Sequence, residues 1–164
     1  MLAIARPDLR LSLVEPLLRR TTFLEEVVEE LDLSQVEVVR GRADALHGQR
    51  HFDVVTSRAV APLDRLLIWS MPLVSPAGAL VAMKGSSIDE EIEAAAPTLQ
   101  KLGCAAPEVH ILGEGVIDST TVAVRVAWAD PARVSLRLAA DPVSMPGGRS
   151  PRSTKKKSKR RHGA

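Results

Sequence analysis

Cysteine is almost missing from the chain: Cys104 stands alone among 164 residues, so no disulfide can close within it. Aromatic residues are nearly as scarce. Phe23, Phe52, Trp69 and Trp128 are the whole set, which leaves Val, Leu and Ala to build a core. No uninterrupted apolar stretch approaches the roughly 20 residues that a membrane-spanning helix needs. Nothing resembles the charged segment, apolar run and cleavage site of a secretory signal. These absences make the cytoplasm the expected compartment. A metal centre finds little support either, because His47 and His51 have the spacing of paired ligands but Gly48 lies between them and no third ligand is near. No Ser, His and Asp arrangement suggests a catalytic triad, and Cys104 has no evident catalytic partner.

What is present is the composition of an ordinary globular protein, 45% apolar and 26% charged, which argues against a disordered chain as the default. The length suits one domain with a real core. The net charge of +2 conceals a split: eight of the 22 Lys and Arg fall in residues 149–164, leaving 14 against 20 acids before them. The folded part is therefore acidic and the end of the chain basic. From Asp130 onward the periodic signals weaken, and from Ser144 Pro, Gly, Ser, Lys and Arg dominate. We expect a domain over residues 1–130 and a basic, disordered tail over 131–164.

Strands and helices alternate along the domain. "LRLSLVEP" at 9–16 alternates apolar and polar residues and stops at a proline, which predicts a strand. Leu17, Leu24, Val27, Val28 and Leu31 then recur at helical spacing, with Glu25, Glu26, Glu29 and Glu30 free for the wet face. "VEVVRG" at 36–41 and "FDVVTSRA" at 52–59 predict two more strands, and "LDRLLIWSMPLV" at 63–74 a helix as far as Pro72. "GALVAMKG" at 78–85 predicts a fourth strand after the turn Pro76-Ala77-Gly78. Residues 89–103 predict a helix with a possible break at Pro97. "EVHIL" and "TTVAVRVAW" have no helix between them and predict a closing hairpin. Such alternation implies a mostly parallel sheet covered on both faces, with an antiparallel hairpin at its end.

Ligands of open α/β sheets bind at the carboxyl ends of the strands, so polar residues there are the candidates. Glu15 ends the first strand. It can accept hydrogen bonds from a ribose diol, or it can be a solvated turn acid. Asp44 follows the second strand, where it can recognise an exocyclic amine or simply serve the turn. Arg58 ends a strand that reads as buried on both sides. A guanidinium there is costly to desolvate unless a carboxylate, a phosphate or carbonyls receive it, which suits a site or a structural salt bridge equally. Lys84 occupies the equivalent place on the next strand and could meet a substrate phosphate. Arg19 and Arg20 lie in the first turn of a helix, where the dipole disfavours cations; they hint at an outside anion such as RNA or belong to a solvated face.

Together, "LSLVEPLLRRTTFLEEV", "VVRGRADAL", "FDVVTSRAVAPL" and "GALVAMKG" resemble the small-subunit ribosomal RNA methyltransferase G family, also called glucose-inhibited division protein B, over residues 1–128. The resemblance implies a Rossmann-like, class I methyltransferase sheet with S-adenosyl-L-methionine as cofactor. It further implies N7 of a guanine in 16S ribosomal RNA as methyl acceptor, within the free RNA or the small ribosomal subunit. Carried over, Glu15 would face the cofactor ribose, Ala43 and Asp44 would border its adenine, and Arg58 would be the cofactor-site arginine. Arg19, Arg20 and Lys84 match positions that would hold RNA. No residue is assigned as a catalytic acid or base.

The front of the chain departs from the family's pattern. Such a sheet begins with a strand and a glycine-rich turn that lets the backbone approach the ligand, and "MLAIARPDL" offers neither. The expectation is a family fold lacking its first strand and glycine loop, with activity impaired accordingly. The alternative is a non-catalytic RNA-binding remnant. A nicotinamide-dependent oxidoreductase would share the acid at a strand end but leave Arg58 and Lys84 unexplained.

Overall fold

The computed structural model describes residues 1–58 and 60–134, and the basic tail lies outside them. After a single helical turn, α1 (Leu2–Ala5), the first half of the chain builds β1 (Leu11–Glu15), α2 (Leu18–Glu30) and β2 (Val36–Arg40). β1 and β2 pair in parallel, from Leu11 opposite Val36 to Glu15 opposite Arg40. Pro16, which has no N–H to donate, ends the strand. Thr21, Leu24, Val27 and Val28 turn one face of α2 inward, while the four glutamates at 25, 26, 29 and 30 are exposed, as their spacing predicts.

A short 3-10 turn, Ala43–Leu46, leads to the second half: β3 (Phe52–Arg58), α3 (Leu63–Ser70), β4 (Val74–Lys84), α4 (Ile88–Leu102), β5 (Glu108–Leu112) and β6 (Thr121–Ala127). Its four strands form one sheet in the order β3-β4-β6-β5. β3 and β4 are parallel, and the closing hairpin β5–β6 runs antiparallel and pairs with β4 through β6. The core sits on this sheet. Leu80 and Ala82 of β4 and Val124 and Val126 of β6 meet Leu63, Leu66 and Leu67 of α3 and Ile88, Ala95 and Leu99 of α4. The alternating α/β order and the terminal hairpin agree with the sequence reading.

Three local differences have physical causes. The helix after Pro62 stops at Ser70 and tightens into a 3-10 turn over Met71–Leu73 around Pro72. β4 then starts at Val74, so Pro76-Ala77-Gly78 is a bulge inside the strand instead of the turn before it: Phe52 pairs with Val74 and Val54 already with Ala79. A bulge suits Pro76, which cannot donate to a ladder. α4 continues through Pro97, because Pro97 lies on the exposed face, where water can receive the carbonyl it leaves unbonded. The folded part also reaches beyond residue 130: Asp130 caps a short turn, and Val134, 2% exposed, packs into the core.

Gly78 makes the bulge possible. A Cβ there would stand 2.5 Å from the carbonyl oxygen of Asp53 and 2.8 Å from Ser75 Oγ. Gly78→Ala should therefore destabilise the fold by about 1–3 kcal/mol, the usual cost of overpacking. The check is a lower urea midpoint with an unchanged slope.

Candidate functional site

The sequence candidates sit where strands end. Glu15 is the last residue of β1, its side chain 19% exposed, and Oε1 accepts the backbone N–H of Leu17 at 2.9 Å. That bond satisfies a backbone donor beside the start of α2, whose N-cap residue Leu17 has no capping side chain of its own. Arg20 approaches Oε2 at 3.4 Å from an exposed position. Glu15 is thus a fixed carboxylate with lone pairs to spare. Arg19 is exposed and makes no ion pair or hydrogen bond among the described residues.

Ala43 and Asp44 form the 3-10 turn after β2 and are half-buried. Arg42 reaches Asp44 at 3.3 Å and lies 5.7 Å above the Trp69 ring of α3. His47 Nε2 donates to the Trp69 carbonyl at 2.9 Å. The turn is thereby pinned to α3 by a cation–π contact and a hydrogen bond. Neither contact was legible from spacing, since both join residues far apart in the chain.

Arg58 ends β3, exposed, without an ion-pair or hydrogen-bond partner among the described residues. It lines an open cleft of about 700 Å³ together with Val60, Lys84, Ser86, Thr120 and Thr121. The structure therefore answers the arginine's ambiguity at one point: it is not spent on a salt bridge to any of the described residues. Lys84 is the opposite case. Its side chain is 7% exposed, and Nζ is tied to the Ala61 carbonyl at 2.7 Å and to Glu91 at 2.6 Å. The lysine expected to meet RNA has its ammonium committed within the fold. Glu15, Ala43, Asp44, Arg19 and Arg20 do not line this cleft. Glu91 was missed, although an acid one turn into the helix that follows Lys84 was the available signal.

Among the described residues, β1–β2 and β3–β4–β6–β5 are separate sheets, with no ladder between β1 and β3. Arg50 bridges the halves. Lying just before β3, it bonds to Ser12 Oγ of β1 at 3.2 Å, pairs with Glu37 of β2 at 2.8 Å and covers the Phe52 ring at 5.3 Å.

Parallel strands with helical crossovers, polar groups at the strand ends and a terminal antiparallel hairpin define a class of protein: the fold is that of class I S-adenosylmethionine-dependent methyltransferases. Solved structures with this fold include precorrin-6y C5,15-methyltransferase from Geobacter metallireducens, at TM-score 0.52 and 17% identity over 74% of this chain and 68% of that one. Another is a variant of MtNAS in complex with S-adenosylmethionine, at TM-score 0.54 and 20% identity over 77% and 49%. At such identity the likeness concerns the fold alone.

The sequence goes further. The family model for rRNA small subunit methyltransferase G matches residues 1–120, and the chain belongs to that family. Ribosomal RNA small subunit methyltransferase G of a Nocardioides strain is 70% identical over 140 residues, which are 85% of this chain and 56% of that protein. The protein of that name from Streptomyces avermitilis is 52% identical over 126 residues, 76% and 53% of the two chains. The chain thus spans about half the length of the curated relatives it matches.

The Arg50 bridge yields a pH dependence. The hydrogen bond from Arg50 holds the Glu37 carboxyl below its ordinary value, with their charge attraction adding to it and desolvation opposing it. A depressed carboxyl stabilises the fold above its unfolded value and loses that contribution as pH falls through its folded value. The protection of amides in β1 and β2, taken relative to their intrinsic exchange at each pH, should therefore fall as the pH drops below the usual carboxylate range, with a small amplitude because the pair is exposed. Glu37→Gln should abolish this step; an identical acid limb in the variant would assign it elsewhere.

Proposed function

We propose that the chain carries the strand-end half of a methyltransferase site that acts at guanine N7 of 16S ribosomal RNA with S-adenosyl-L-methionine as cofactor. Family membership supports the coarse reading. The observation that carries it to named residues is Arg58, an exposed guanidinium with no partner among the described residues, on a rigid strand end at a cleft. Glu15 fits a ribose diol, since its carboxylate is held in place and keeps acceptor capacity. Ala43 and Asp44, in a turn anchored on Trp69 through Arg42 and His47, form a wall suited to a flat base. Arg19 and Arg20 face outward and fit phosphates.

When bound, S-adenosylmethionine supplies a methyl group activated on sulfonium sulfur. Guanine N7 already presents a lone pair, so the residues of this chain have no proton to remove. Their work is orientation, which can supply about 7–11 kcal/mol in favourable cases. This accounts for a site built of binding groups without a general base.

A second reading has its own observation. β1 and β3 each have an edge without a ladder partner among the described residues, and Val54 on β3 is 58% exposed. A strand with a glycine turn between those edges would join the sheets and complete the cofactor site; without one, the chain serves as an RNA-binding remnant.

Calorimetry with S-adenosylmethionine tests both, on residues 1–164 and on a chain extended upstream to the relatives' length. Uptake by the extended chain that weakens about tenfold or more in Arg58→Ala is expected, the loss of one charged contact being worth roughly 1.5–3 kcal/mol. No uptake by the extended chain would refute the enzyme reading. Uptake by residues 1–164 would eliminate the remnant reading, whereas uptake by the extended chain alone, with filter binding of 16S rRNA retained by residues 1–164, would support it.

A further inference from the structure

We propose that Lys84 and Glu91 form a positioning pair that fixes residues 60–62, the cleft wall next to Arg58, and that Lys84 acts inward through this pair instead of on an outside phosphate. The proposal rests on the preceding reading only for what enters the cleft.

Three elements meet at one carboxylate oxygen. Lys84 ends β4, Glu91 lies in the first turn of α4, and Leu63 begins α3. Glu91 Oε2 pairs with Lys84 Nζ at 2.6 Å and accepts the backbone N–H of Leu63 at 2.9 Å. Nζ also donates to the Ala61 carbonyl at 2.7 Å. Residues 61 and 63 are therefore grasped from two sides, one through a carbonyl and the other through an amide.

Each bond answers a local need. Leu63 is the first residue of α3, its N–H has no partner within the helix, and Pro62 at the N-cap provides no side-chain acceptor. The carboxylate of a different helix does the capping. Leu63 itself is fully buried, so the anchor point does not yield. The Lys84 side chain is more than nine-tenths buried, and an ammonium so placed is tolerated only when paired and hydrogen-bonded. The carbonyl of Ala61 and the carboxylate of Glu91 satisfy that condition together.

The consequence falls on Arg58. Its side chain has no partner among the described residues, so its backbone alone sets where the side chain starts and how far into the cleft the guanidinium can reach. On the strand side, pairing of Arg58 with Met83 holds that backbone. On the loop side, the Lys84–Glu91 pair holds it from three residues away. Lys84, Glu91, Val60, Ala61 and Arg58 all border the same cleft.

The test uses the 164-residue chain and its Lys84→Met, Glu91→Gln and Glu91→Ala forms. Amide exchange at Leu63, the carbonyl shift of Ala61 and the Arg58 side-chain N–H resonance are followed by NMR. Binding to a 16S rRNA fragment is measured across salt concentrations. Lys84→Met should move the Ala61 carbonyl and Arg58 signals. Glu91→Ala should speed Leu63 exchange about tenfold, as local opening does, without speeding β5–β6. Glu91→Gln, which keeps an acceptor oxygen, should restore most of the Leu63 protection and keeps the question answerable should Glu91→Ala fail to fold.

The salt slope of RNA binding should be unchanged in Lys84→Met, whereas a lost phosphate contact would lower that slope by about 0.7–0.9. Unmoved Ala61 and Arg58 signals, exchange raised uniformly over the chain, or a reduced salt slope would each overturn the pair's role. An absence of RNA binding in every form counts against the proposed function, and the NMR readouts then decide the pair on their own.

Discussion

Two sheets that share no ladder among the described residues must be held at a fixed orientation, and this constraint governs everything at the strand ends. The half bearing Glu15 and Asp44 is joined to the half bearing Arg58 by side chains between residues 42 and 50. Arg50 ties β1 and β2 to the start of β3, Arg42 stacks on Trp69, and His47 bonds to the Trp69 carbonyl. Each contact is individually modest, of order 1 kcal/mol, whereas a strand ladder would spread the load over many backbone bonds. The core does not compensate. Its cluster of buried residues lies wholly between Leu63 and Val134, while the first half contributes only Ala3 and Thr21 to the buried set. The relative placement of the two groups of candidate residues consequently depends on these few side chains.

The open edges have the same origin. β1 is half-buried along its whole length, intermediate between a covered strand and a solvated one. β3 alternates, with Val55 against the core and Val54 and Thr56 outward. An exposed valine beside an unpaired edge is what natural sheets avoid through charge, proline or cover, and here Asp53 and Arg58 are the charges on that strand.

Much of this was legible in the sequence because it depends on local periodicity. Leu24, Val27 and Val28 announce α2, the apolar run of β4 announces a buried parallel strand, and "EVHIL" with "TTVAVRVAW" announces the hairpin that forms. The run of β3, read as buried on both sides, is covered on one face only, because Val54 and Thr56 point outward beside an edge with no partner among the described residues. The errors fall where a local signal loses to a tertiary one. Pro76 and Gly78 look like a turn, yet pairing with β3 draws Val74 into the strand and leaves a bulge. Pro97 looks like a break inside the helix, yet Ala95 and Leu99 on either side are buried and hold the helix together. The strand-end candidates were found by the positional rule for α/β sheets; the groups that orient them, Arg42, Trp69, Arg50 and Glu91, obey no such rule.

Arg58 and Lys84 show why position alone does not assign a role. Both are cations at the carboxyl ends of adjacent parallel strands, one residue apart in register, and spacing treats them alike. They differ in what the next element presents. After β4, α4 begins almost at once and its first turn carries Glu91, so the lysine turns inward and is neutralised. After β3, the chain passes through Pro62 to α3, whose first-turn acid Asp64 makes no ion pair with Arg58 among the described residues. A carboxylate near the second cation closes it; the lack of one near the first leaves a guanidinium in solvent. The same crossover geometry thus produces a structural clamp and an open binding group side by side, and the first depends on a residue seven positions downstream whose facing is decided only once α4 has packed.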